Sequence, residues 1–175
     1  MKQCLIVVDM QRDFVTGALG FTGAAAIEDA IAEKIEQYRN NGGEVVFTLD
    51  THEDDYMQTQ EGRHLPVPHC LRGSQGAALT PRLAPYCLSD TPVFEKGTFG
   101  SMALADFLRT HRYERIELCG VVSHMCVLSN AVLAKAAQSE AEICIDAQCV
   151  ASPDAALHEK ALDIMEGLHM HIQHR

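Results

Sequence analysis

Short apolar runs alternate with segments of helical period along this 175-residue chain, and no other feature constrains its fold as much. Cys4–Val8 is a compact apolar run, suited to a strand covered on both faces. Ile27, Ile31, Ile35 and Tyr38 recur at helical spacing, and Gly42-Gly43 supplies a stop. Glu44–Leu49 reads as a second strand. From Asp50 to about Thr91 the chain is rich in His, Pro and Gly and has little period. Loops of that length in a compact domain are usually functional. Pro92–Glu95 predicts a short strand, Met102–His111 a helix and Arg115–Gly120 a strand. A helix is predicted from near His124 or Met125 to about Gln138, and a strand over Glu142–Asp146. Ser152-Pro153-Asp154 reads as a helix start with Ser152 as N-cap, that helix running to about Gly167, and Leu168–Gln173 as a last strand. The order β-α-β-loop-β-α-β-α-β-α-β predicts an α/β protein: one domain over residues 1–175, in three layers α/β/α, around a mainly parallel sheet of about six strands.

Composition narrows the function. A formal net charge of −10 argues against nucleic acid, which needs a basic footprint, and is a poor match for an anionic membrane surface. No apolar stretch approaches the roughly 20 residues of a membrane span. The first apolar run stops at Asp9, too short for the core of a secretion signal. The 7 cysteines are scattered, with no CxxC pair. The expectation is a reduced, cytoplasmic protein with mostly buried thiols.

A parallel sheet places ligands at the carboxyl ends of its strands. The residues there are Asp9, Asp50, His52, Lys96 and the segment Gly120–Cys126. A carboxylate such as Asp9 at the end of a buried strand is costly without a partner; read alone, it is equally well an N-cap or a salt-bridged loop residue. Cys126 falls where a strand gives way to a helix, and a helix N-terminus favours a thiolate and can hold an oxyanion. The alternative is an inert buried thiol, and Cys4, Cys119 and Cys144, inside strands, are assigned to it. Lys96 reads either as a solvated charge or, at a strand end, as the partner of a thiolate or oxyanion. No G-x-G-x-x-G follows the first strand, so a dinucleotide-binding domain is disfavoured.

The long loop carries Asp50-Thr51-His52, then Glu61, His64 and His69. An Asp-x-His pair at a strand end is a plausible divalent-metal site, completed by His69 and by Glu61 directly or through water. Solvated loop histidines are the plain alternative. His64 and His124 read as solvated or supporting residues, His158, His169, His171 and His174 are given no function, and Glu53-Asp54-Asp55 reads as a solvated face.

The segments Val-Val-Asp-Met-Gln-Arg-Asp-Phe from Val7, Phe-Glu-Lys-Gly-Thr-Phe-Gly-Ser from Phe94 and Gly-Val-Val-Ser-His-Met-Cys-Val from Gly120 resemble those of the isochorismatase-like cysteine hydrolases, the family of the nicotinamidases. The resemblance covers nearly the whole chain. It implies a Rossmann-like sheet and a triad: Asp9 as base, Lys96 holding the thiolate, and Cys126 as nucleophile forming a thioester. It implies a cis peptide at Val121-Val122, with the Val122 and Cys126 N–H groups as oxyanion hole. Isochorismatases proper lack the cysteine, so amide or imide hydrolysis is favoured over vinyl ether cleavage.

The resemblance also implies a metal at Asp50, His52 and His69, with Glu61 matching one subgroup: zinc, iron or manganese, binding the pyridine nitrogen of nicotinamide. One departure stands out. Nicotinamidases often have Trp-Pro-x-His-Cys before the last ligand, whereas this chain has Leu65-Pro66-Val67-Pro68-His69-Cys70 and no tryptophan. Phe14 and Phe99 remain to stack on a substrate, with Val121 a further contact. The function expected is amide hydrolysis of nicotinamidase type, on a small-molecule substrate, by a homo-oligomer. The alternatives are a hydrolase of carbamoyl or ureido compounds and a non-catalytic binding protein of the same fold. The thiolate is expected to be stabilised below the ordinary thiol pKa by the helix dipole and Lys96.

Overall fold

The computed structural model describes residues 2–175. Six strands form one sheet: β1 (Gln3–Val8), β2 (Glu44–Asp50), β3 (Val93–Lys96), β4 (Arg115–Val121), β5 (Glu142–Ala151) and β6 (His171–Gln173). The order across the sheet is β3-β2-β1-β4-β5-β6 and every neighbouring pair is parallel. The helices are α1 (Arg12–Val15), α2 (Thr22–Ala26), α3 (Glu28–Asn40), α4 (Gln60–His64), α5 (Met102–Thr110), α6 (Leu128–Ala137) and α7 (Ala155–Gly167).

The two-residue alternation of a strand divides the core. Cys4, Ile6 and Val8 face one layer with Leu104 and Leu108 of α5, Ala131 of α6 and Leu162 of α7. Leu5 and Val7 face the other, with Ile31, Ile35 and Tyr38 of α3. Such two-sided burial explains why these strands read as continuous apolar runs. Among the described residues no helix is long and apolar enough to cross a membrane.

Three boundaries differ from the sequence expectations. β5 does not stop at Asp146. Leu118 pairs with Ile145, but Gly120 pairs with Val150, so β5 bulges and then rejoins β4. The polar step Asp146-Ala147-Gln148 hides this continuation from a hydropathy reading. The last helix is capped by Asp154, whose carboxylate accepts the Leu157 N–H at 2.9 Å, rather than by Ser152. β6 begins at His171, after the turn at Leu168 that ends α7. The long loop also contains structure of its own, α4, capped by Thr59 accepting from Gly62 N–H.

The chain winds outward in opposite directions from β1 and β4, so a crevice opens at their carboxyl ends. Gly120 permits the close approach there. Its φ is +111°, and a Cβ would collide with the Val8 carbonyl oxygen.

Candidate active site and metal centre

Asp9 follows β1 in a left-handed conformation, φ 49°, and is fully buried. Its backbone N–H donates to Thr48 O at 3.2 Å. Thr48 Oγ1, one strand away on β2, donates to Asp9 Oδ1 at 2.6 Å. Lys96, at the end of β3, passes under the end of β2. Its Nζ lies 2.6 Å from Asp9 Oδ2, 3.4 Å from Asp50 Oδ1 and 3.5 Å from Cys126 Sγ. The structure therefore brings Asp9, Lys96 and Cys126 together from three separate strand ends.

Cys126 sits in a wide helical turn, Ser123–Val127, that runs directly into α6. The Val121-Val122 peptide ahead of it is cis. Val122 O accepts from the N–H groups of Met125 and Val127, which folds the turn around the sulfur. Asn130, one turn along, fixes it further. Its Nδ2 donates to Cys126 O at 2.8 Å and Phe99 O at 3.0 Å, and its Oδ1 accepts from Ser101 N–H at 2.9 Å.

The electrostatics of the trio follow from burial. Burial pushes the Asp9 carboxyl above its ordinary pKa, with Lys96 opposing. Burial works against the charge on Lys96, yet Asp9, Cys126 and Asp50 outweigh it and keep the ammonium protonated. The Cys126 thiol is pushed well up, first by burial and then by Asp9, with Lys96 opposing. This differs from the expected stabilised thiolate: burial and Asp9 work against the charged sulfur more than Lys96 favours it. In Cys4, Cys119 and Cys144 burial likewise raises the thiol pKa.

The second cluster lies beside the first. Asp50 Oδ2 is 2.9 Å from His52 Nε2 and 3.3 Å from His69 Nε2. Glu61 Oε1 stands 3.7 Å and 3.8 Å from the same two nitrogens. All four ligand atoms lie within 4.8 Å of one another. Two imidazoles and two carboxylates suit zinc, iron or manganese. The surroundings also fit, for His69 Nδ1 donates to Val67 O at 2.8 Å and so turns Nε2 toward the cluster. The His52 and His69 hydrogen bonds and Lys96 hold the Asp50 carboxyl below its usual range despite burial. His64, at the end of α4, instead bonds its own Gln60 O through Nδ1.

Backbone pairing explains how a ligand from a long loop reaches this point. His52 N–H donates to Cys70 O and Arg72 N–H to His52 O, so the loop returns alongside β2's extension. Asp13 Oδ2 accepts the Cys70 N–H at 2.7 Å, where Cys70 has φ 46°. Gln11, fully buried, clasps Asp50 with its Nε2 on Asp50 O and its Oε1 on Asp50 N–H, both at 2.8 Å. Gln11, Asp13, Thr48 and Asn130 were not singled out from the sequence as site residues. The one available signal was polarity in segments that are otherwise core.

Both clusters open on a cavity of about 540 Å³, lined by Phe14, Phe99, Val122, Cys126, Asp50, Glu61 and His69 among others. Phe14 and Phe99 are thus on its wall, but Val121 is not. It is fully buried in the core on the α3 side of the sheet, and Val122 lines the cavity instead.

Comparison with known proteins agrees with this geometry. Residues 3–173 match the Isochorismatase domain. The isochorismatase family protein PncA of Bacillus subtilis is 30% identical over 173 residues, 93% of each chain. The crystal structure of the nicotinamidase/pyrazinamidase PncA from Bacillus subtilis superposes with a TM-score of 0.88 at 31% identity, covering 99% of this chain and 100% of that one. The pyrazinamidase of Pyrococcus horikoshii, solved in complex with zinc, gives 0.85 at 28% identity over 98% of each chain.

Proposed function

This chain belongs to the isochorismatase family, and on that premise we propose that it is a cysteine hydrolase cleaving a small aromatic amide of nicotinamide or pyrazinamide type to the carboxylic acid and ammonia. The observation that carries the reading is Lys96 Nζ at 2.6 Å from Asp9 and 3.5 Å from Cys126 Sγ, with Cys126 on the wall of a cavity that Asp50, Glu61 and His69 of the ligand group also line.

The roles follow from the charges. As the amide carbon meets Sγ, the thiol proton passes to Asp9, whose burial gives it the affinity of a base. The sulfur bonds to the carbonyl carbon, and the oxygen that becomes an anion is met by the Val122 and Cys126 N–H groups. Asp9 returns the proton to the departing nitrogen as the C–N bond breaks, leaving ammonia and a thioester. Asp9 then takes a proton from water as it attacks the thioester carbon. The proton passes to sulfur as the acid leaves, so one water is consumed and the thiol is restored. Lys96 stays protonated throughout and balances Asp9 and the sulfur in turn.

Asp50, His52, Glu61 and His69 would hold a divalent ion. When bound, it supplies a Lewis-acid anchor for a ring nitrogen and so orients the amide. Phe14 and Phe99 flank the ring. The test is ammonia release from nicotinamide and pyrazinamide by metal-loaded protein. Release from either, lost in Cys126→Ala, supports the proposal; release from neither overturns it.

A further inference from the structure

The two clusters use only part of the cavity. Nicotinamide has about nine non-hydrogen atoms, and at the roughly 30 Å³ that one water takes in the liquid these need about 270 Å³. The cavity holds about 540 Å³. The metal-ligand group stands at the end of β2, and Cys126 follows β4. Gln60, His64 and Leu65 line the cavity on the α4 side, and the rest of the wall lies toward β5. Leu19 and Phe21 lead into α2, which packs on β5, while Pro153 follows β5 directly and His124 precedes the nucleophile.

His124 is fixed in this wall. Ser152 Oγ lies 2.9 Å from His124 Nδ1 and accepts the Asp154 N–H at 3.1 Å. In the tautomer where the serine gives its hydrogen to Nδ1, Nε2 carries the ring hydrogen and is the donor. Burial lowers the imidazole pKa, with Asp154 opposing. Nε2 has no protein partner among the described residues, and the ring lines the cavity.

We propose that Phe21, His124 and Pro153 form a second subsite. The substrate is then an aromatic primary amide with a further ring substituent, apolar in body and carrying a hydrogen-bond acceptor for His124 Nε2–H. This inference rests on the amidase reading of Cys126. In it His124 sets specificity and takes no part in bond cleavage.

The experiment compares nicotinamide with 5-methoxynicotinamide, whose substituent adjoins neither the ring nitrogen nor the carboxamide. Ammonia release is measured for metal-loaded wild type, His124→Phe and Ser152→Ala. The readout is the ratio of kcat/KM for the two amides within one preparation, so any loss of folded protein cancels. Wild type is expected to prefer the methoxy compound roughly tenfold, the size of an added group filling an apolar pocket. In His124→Phe the ratio should fall about tenfold, through KM more than kcat, as for one lost hydrogen bond. Ser152→Ala should move it the same way by less. A wild-type ratio of one or below, or a ratio that His124→Phe leaves unchanged, overturns the subsite while the amidase reading stands. Ammonia from neither amide removes both.

Discussion

Lys96 Nζ lies 2.6 Å from Asp9 Oδ2, with both side chains all but removed from water. Each charge is tolerable there because of the other, so the pair serves stability as well as proton transfer. Asp9→Asn is expected to lower kcat by roughly two to four orders of magnitude, as for loss of a general base. It should also cost about 3 kcal/mol of stability, since Lys96 keeps only Asp50 as a close carboxylate. Asparagine is the fitting replacement because it tolerates the left-handed backbone at this position. Steady-state kinetics and thermal melts of one preparation check both halves. Near-normal turnover would make Asp9 purely structural.

Cys126→Ala is expected to abolish ammonia release and to leave the melt within about 1 kcal/mol of wild type, since a small buried side chain is replaced by one smaller atom group. Iodoacetamide should inactivate the protein in step with alkylation of Cys126, mapped by peptide mass. Cys87 is only half-buried and should label without loss of activity, whereas the other five cysteines, all buried, should label slowly. Full inactivation with Cys126 unmodified contradicts the assignment.

Protein purified without chelator is expected to carry close to one zinc, iron or manganese per chain by elemental analysis. Asp50→Ala should lose it, because Asp50 is the carboxylate that both His52 and His69 approach within hydrogen-bonding range. His64→Ala, whose ring is turned to Gln60, should retain it. Equal metal content in the two variants would refute this ligand set.

Away from the site, Lys34 Nζ bridges Glu117 at 2.6 Å and Asp146 at 2.8 Å beneath α3. Burial alone would raise the Asp146 pKa, but hydrogen bonds from Lys34, the Gln148 N–H and His174 outweigh it and lower the value. A carboxyl depressed in the folded state contributes stability that is fully present above its unfolded pKa of about 3.9, and that is lost as pH falls through the folded value. Asp146→Asn is therefore expected to be less stable than wild type by roughly 1.5–3 kcal/mol at neutral pH. The gap should narrow once pH drops below about 4. Denaturant melts at pH 7 and pH 3 decide it, and a gap that stays constant rules out the carboxylate charge as the cause.

The strand ends were legible because buried parallel strands are apolar throughout, so Asp9, Asp50 and Lys96 stand out where the runs stop. The layers and the parallel sheet followed from the alternation. What escaped was whatever depends on pairing between distant segments. The rejoining of β5 to β4 after the bulge is set by the Gly120–Val150 register, which no single segment encodes. Gln11 bonds backbone groups far along the chain at Asp50 and Ala77, and Asn130, besides the nearby Cys126 O, bonds those at Phe99 and Ser101, so composition gives no hint of these partners. The thiol pKa was misjudged because the helix dipole is visible in sequence, whereas full desolvation of the sulfur is a property of the packed whole.

Gly120 lies so tightly against the Val8 carbonyl that no side chain fits between them. The spacing of the β1 and β4 ends, which Asp9 and the Cys126 turn follow, is thus set by backbone on backbone. Leu65, Phe21 and Pro153, by contrast, come from separate connecting segments, and each can be exchanged singly. The chain has separated two kinds of heritable change: the cutting apparatus is all-or-none, while the range of molecules admitted to it can drift one residue at a time. Library design on this scaffold should spend its diversity on those loops and leave the β1–β4 seam alone.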